Sequence, residues 1–151
     1  MRPTVEEQLL GTCRILEKVV SPCVADPYAR TILEGLIANL RMLTSALPAV
    51  PGFLNSDNRA TAGLLGQLQA VVAPDLAASI ALALGRPEPD AADMTALEQR
   101  NCELRELFSQ ALCGPGLTPE MRGAALEHMT ARAARAPMRY VSTASTPAKA
   151  T

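Results

Sequence analysis

Between Asp26 and Leu47 the chain places Ala29, Leu33, Leu36, Leu40, Leu43 and Leu47 at alternating steps of four and three. Such spacing sets side chains on one face of a helix, and Ile32 and Ile37 widen that seam into a broad apolar surface. Asp26-Pro27 supplies the start, an oxygen-bearing cap followed by a residue whose missing N–H is no loss in a first turn. A helix this apolar must be covered by other helices or by a second copy. The segment therefore predicts an all-α chain, an up-down helical bundle of four to six helices with this helix central to the bundle or to a dimer, and Leu33, Leu36, Leu40 and Leu43 as interface residues.

Composition narrows the class further. Hydrophobic residues make up 48% of the 151, yet aromatics only 3%, and Trp is absent. A core of small and aliphatic residues suits close helix packing, and no run of alternating β-branched residues supports a strand. The net charge of −1 argues against nucleic acid, whose phosphates call for a basic face. Five basic against two acidic side chains after residue 117 read as a solvated basic face rather than an anionic-partner site. The acidic start through Gln8 has no secretory pattern. The apolar window 60–84 is interrupted by Gln67, Gln69, Pro74 and Asp75, short of the ~18 residues a membrane span needs. A cytoplasmic protein without membrane contact is expected, and with it reduced core thiols for Cys13, Cys23, Cys102 and Cys113, which show no C-x-x-C spacing.

Punctuation divides the chain. Thr4 with Glu7 forms a capping box for a first helix bearing Val5, Leu9, Cys13, Leu16 and Val20 on one face, stopped by Ser21-Pro22. Pro48 and Pro51 end the leucine-rich helix, and residues 48–58, closing on Asn55-Ser56-Asp57-Asn58, read as a loop. A third helix is expected from there to about Val72, with a break at Pro74, because Pro costs ~3 kcal/mol inside a helix. A further helical piece then runs to Leu84. Another helix spans about Asp93 to Cys113 and ends at Gly114-Pro115-Gly116, and a last one starts at Thr118-Pro119 and runs to about Arg135. Residues 1–137 thus read as one helical domain and 138–151, polar and unpatterned, as a flexible tail.

The usual catalytic sets are missing. A di-metal carboxylate bundle needs Glu-x-x-His pairs, but the single histidine, His128, directly follows Glu127, about 100° away around a helix. Glu98, Cys102 and Glu106 share a helical stripe but include no histidine and cannot enclose a cation from one helix. No Gly-x-Ser-x-Gly, phosphate loop or dinucleotide fingerprint occurs, and His128 has no evident Asp partner for a triad. No metal and no cofactor is expected, and a non-catalytic role is favoured over an enzyme.

Asn101 stands out by sitting in the seam of Leu97, Leu104 and Phe108, where an apolar residue would stabilise more. It fixes register or oligomeric state, or it hydrogen-bonds a ligand. Arg105 follows one turn later, and with Asn39 and Arg41 these residues form a candidate polar cluster if their two helices pack antiparallel.

Three segments, Glu6-Glu7-Gln8-Leu9-Leu10, Asp26-Pro27-Tyr28-Ala29-Arg30 and Glu103-Leu104-Arg105-Glu106-Leu107, resemble a group of small bacterial helical proteins. Their genes often lie beside aminoglycoside-phosphotransferase-like kinases and acyl-CoA dehydrogenases. The resemblance covers residues 4–47 and 97–112, brings no catalytic residues with it, and implies an accessory role near acyl-CoA or kinase-like metabolism. Two functions follow as expectations. The first is a non-catalytic interaction protein, a homodimer or the partner of a neighbouring metabolic enzyme. The second is a bundle binding a small apolar, acyl-like ligand in an interior lined by Met42, Leu64, Leu68 and Met129. Interiors are ordinarily close-packed, so the second requires a cavity.

Overall fold

The computed structural model describes residues 3–137, which are all-α, with packed helices and no strand. The expected tail, 138–151, lies outside the described residues. Six α-helices occur among the described residues: α1 Val5–Ile15, α2 Pro27–Ala46, α3 Val50–Leu68, α4 Pro74–Leu84, α5 Met94–Leu112 and α6 Pro119–Arg135. They fall into two compact units, a hairpin over residues 3–46 and a four-helix unit, Leu47–Ala136.

In the hairpin, α1 packs on α2. Thr4 Oγ1 accepts from the Glu7 N–H while Glu7 Oε2 accepts from the Thr4 N–H at 2.7 Å, so the capping box forms in both directions. Proline then shapes the exit. Pro22 has no N–H, and in a continued α-helix its ring would press on the carbonyl four residues back. The backbone widens into a π-helical turn, Leu16–Val20, whose closing bond runs from the Ser21 N–H to the Leu16 carbonyl, and tightens into a 3₁₀ turn at Ser21–Cys23. Asp26 Oδ1 caps α2 by accepting from the N–H groups of Tyr28 and Ala29. Arg41 on α2 reaches Glu17 in the π turn at 2.7 Å.

The leucine-rich helix is not the packing centre. Of its residues only Ile37, Thr44 and Ala46 are buried; Leu33, Leu40 and Leu43 are half-buried, and Leu36 is 54% exposed. That centre is α3 in the four-helix unit, which shares its largest interface with α5 and also packs on α4 and α6. Leu65 and Leu68 of α3, Ile80 of α4, Leu104, Phe108 and Ala111 of α5 and Ala125 of α6 form one continuous core. Each fully covered leucine contributes about 1.5–3 kcal/mol.

Residues 48–58 are not a loop. A 3₁₀ turn at Leu47–Ala49 leads directly into α3, and Pro51 falls in the first turn of that helix, where a missing N–H costs nothing. Asn55-Ser56-Asp57-Asn58 lies inside α3, with Asp57 and Asn58 buried. Their turn-forming habit is overridden because distant groups on α5 and α6 hydrogen-bond them. The other boundaries follow local chemistry: Pro74 opens α4, Asp93 caps α5 at the Ala96 N–H, and Thr118 caps α6 at the Met121 N–H. Gly116 does more than end a helix, since a Cβ there would collide with the Val71 carbonyl oxygen. Among the four cysteines only Cys13 is a core thiol; Cys23, Cys102 and Cys113 are exposed, so the expectation of core thiols fails at three positions. No described helix is long and apolar enough to cross a membrane.

Candidate functional site

Three helices of the four-helix unit carry pairs of polar residues four apart: Asp57 and Thr61 on α3, Asn101 and the exposed Arg105 on α5, His128 and Arg132 on α6. Spacing of four stacks side chains along one face, so three short polar rows converge. At their centre is Asp57, with no exposed surface. Its Oδ2 accepts from Asn101 Nδ2 at 2.7 Å and from Arg132 Nε at 2.8 Å. Asn101 Nδ2 also donates to Asn58 Oδ1 at 2.9 Å, and Asn58 Nδ2 donates to the Leu97 carbonyl at 3.1 Å. Asp57 Oδ1 is buried and accepts no hydrogen bond among the described residues.

This network fixes Arg132. Asp57 takes its Nε, and the guanidinium carbon lies 5.7 Å from the centre of the Phe53 ring, within cation–π range. A charge held between a buried carboxylate and an aromatic face has little freedom. One turn earlier on α6, His128 Nε2 lies 3.1 Å from Thr61 Oγ1, and its ring meets Phe108 edge-on at 5.5 Å between centroids. Burial holds the His128 pKa below 6.5, opposed by the charge of Asp57 and reinforced by those of Arg135 and Arg132. The imidazole is therefore neutral at neutral pH.

Beside this cluster lies a cavity of about 110 Å³, lined by Thr61, Arg105, Phe108, Ser109, Leu112, His128, Met129 and Arg132. It opens to solvent past the exposed Arg105 and Met129. Wider hollows occur elsewhere, and every arginine lining them is already paired: Arg41 with Glu17 in one, Arg86 and Arg100 with Glu103 in another. Arg105 forms no ion pair among the described residues.

The residues singled out from sequence are distributed as follows. Asn101 is buried and bonded to Asp57 and Asn58, and Arg105 lines the cavity. Asn39 is exposed on α2, and Arg41 is engaged with Glu17. Of the expected pocket residues, Met129 lines the cavity, whereas Leu64 and Leu68 pack in or against the core and Met42 belongs to the hairpin. Asp57, Asn58, Thr61, His128 and Arg132 were not anticipated as a group. The one signal in the sequence is four polar residues in a row ahead of an apolar helix, a pattern that also spells a turn. Thr61 is almost wholly covered, and among the described residues no carboxylate hydrogen-bonds His128 to orient it as a base. Glu98, Cys102 and Glu106 lie exposed on α5, away from this cluster. No protein-family model, curated protein or solved structure matches the chain.

Proposed function

We propose that this chain is a small-molecule-binding helical protein whose site is the cavity among α3, α5 and α6. The observation that supports this reading is the composition of that cavity's wall. Two guanidiniums and an imidazole face an apolar surface of Phe108, Leu112 and Met129, with one guanidinium held in place by the buried Asp57 network. Pockets that recognise small ligands share this plan, a mostly apolar wall with a few fixed polar groups. Native mass spectrometry of protein purified from its own cells, together with a thermal-shift screen of small metabolites, tests the reading. Binding raises the melting temperature in proportion to the logarithm of ligand concentration by mass action. A bare-chain mass, with no shift at millimolar ligand, overturns it.

A second reading, interaction with a protein, is supported by the hairpin. Eight of the twelve large apolar side chains exposed among the described residues fall between Val5 and Leu36, among them Ile15, Val19, Ile32 and Leu36. Surfaces of this kind are commonly covered by a partner, here a second copy or a neighbouring metabolic enzyme. Light scattering at micromolar concentration gives a dimer on this reading. A monomer of 15.9 kDa removes the self-pairing form of it.

A further inference from the structure

We infer that the ligand of the α3–α5–α6 cavity is a small organic monocarboxylate. Its carboxylate would lie against Arg105 and Arg132 and its short apolar part against Phe108, Leu112 and Met129. The inference rests on the reading of the cavity as a binding site and names the class of ligand.

Charge decides the head group. Arg105 and Arg132 bring two positive charges to the wall, and Asp57 behind Arg132 returns one negative charge. His128, half-buried beside these groups and kept neutral at neutral pH, adds none. The wall is thus left with about one uncompensated positive charge, which suits a monoanion better than a neutral molecule or a dianion. Geometry agrees. Arg132 is bound to Asp57 through Nε, which leaves its terminal N–H groups as donors, and Arg105 has no competing carboxylate among the described residues. Planar guanidiniums pair well with planar carboxylates, through two parallel hydrogen bonds where both oxygens are reachable.

Size limits the rest of the molecule. About 110 Å³ is somewhat less than the roughly 150 Å³ apolar cavity known to admit benzene, so a single ring or a chain of a few carbons fits. Long acyl chains would extend through the open side past Met129, which is half exposed.

The experiment uses the full chain at fixed ionic strength, with calorimetric titration and thermal shift as readouts. The probes are butyrate against butyramide, benzoate against benzamide, and inorganic phosphate. Each amide matches its acid in shape but is neutral and presents an NH2 donor in place of one acceptor oxygen. The acids are expected to bind about tenfold or more tightly than their amides, the ratio that one charge-assisted pair supplies. Arg105→Gln is expected to shrink that ratio severalfold, the acids losing more affinity than the amides, and to leave the unliganded melting temperature unchanged, because Arg105 is exposed and bonds to no other described residue. Amides binding as well as acids would overturn the carboxylate assignment and leave the binding cavity standing. Phosphate binding more tightly than the acids would do the same. If no probe binds and native mass spectrometry finds no retained ligand, both the assignment and the cavity reading fail. Arg132→Gln is less suitable as a lone test because it also breaks the Asp57 pair.

Discussion

The hairpin and the four-helix unit invert each other's surfaces. The hairpin carries most of the exposed large apolar side chains, while the four-helix unit holds Asp57, Asn58, Thr61 and Asn101, four of the five buried polar residues described. The apolar seam of α2 marks where a helix is, and it leaves open whether the seam ends up covered. Polar residues inside a core are the more telling sign, because burying them is costly unless each finds a partner. In the four-helix unit that expense is met by a network across three helices, and the cavity adjoins it.

The largest effect should come from emptying the centre of the network. Asp57→Ala leaves Arg132 partly buried without its counter-charge and removes the acceptor for Asn101, so the four-helix unit should lose about 3–5 kcal/mol in chemical denaturation. A loss below about 1 kcal/mol would mean the network is incidental and would erase the contrast between the units. Asn101→Leu comes next, at about 1–3 kcal/mol, since it strips donors from both Asp57 and Asn58. A gain in stability instead would return Asn101 to the role of a register-setting seam residue. Gly116→Ala should cost about 1–3 kcal/mol through collision with the Val71 carbonyl, an overpacking effect confined to the four-helix unit. Hydrogen exchange should register that loss in α5 and leave the amides of α1 unchanged.

A smaller effect concerns pH. His128 in the folded chain titrates below 6.5, with burial the main cause, Arg135 and Arg132 adding to it and Asp57 opposing. In the window below 6.5 and above the folded value the unfolded chain binds the extra proton. The contribution is therefore fully present above 6.5 and is lost as pH falls through that window. Comparing stability at about pH 7.5 and about pH 5.5 in His128→Gln should show a shallower fall than in the native chain. Equal slopes would mean that the imidazole is not held in the cluster. Smallest of all is Leu36→Gln on the open face of the hairpin, expected within ±0.5 kcal/mol by denaturation. A loss of about 2 kcal/mol or more would mean this face is covered, and the inversion between the units would not hold in solution.

Much of the secondary structure was legible because its signals are local. Thr4 with Glu7, Asp26 with Pro27, and Thr118 with Pro119 each mark a helix start through oxygens and a proline that act within a single turn. The polarity of Asn101 within an apolar seam was visible too, as was Arg105 one turn on. What could not be read was their company. Asn101 meets Asp57 across 44 residues of chain and Arg132 meets Asp57 across 75, and nothing local in Asn55-Ser56-Asp57-Asn58 separates a turn from a helix whose polar face is satisfied from afar. The alternating seam and the caps, through backbone sterics and one-turn hydrogen bonds, were enough to determine an all-α chain and most of its helix boundaries. Tertiary structure alone decided which apolar faces are covered, that α3 rather than the leucine-rich α2 is the packing centre, and that three polar rows converge beside a cavity. Those outcomes depend on which helices meet and in what register, a competition among burial free energies that local sequence does not encode.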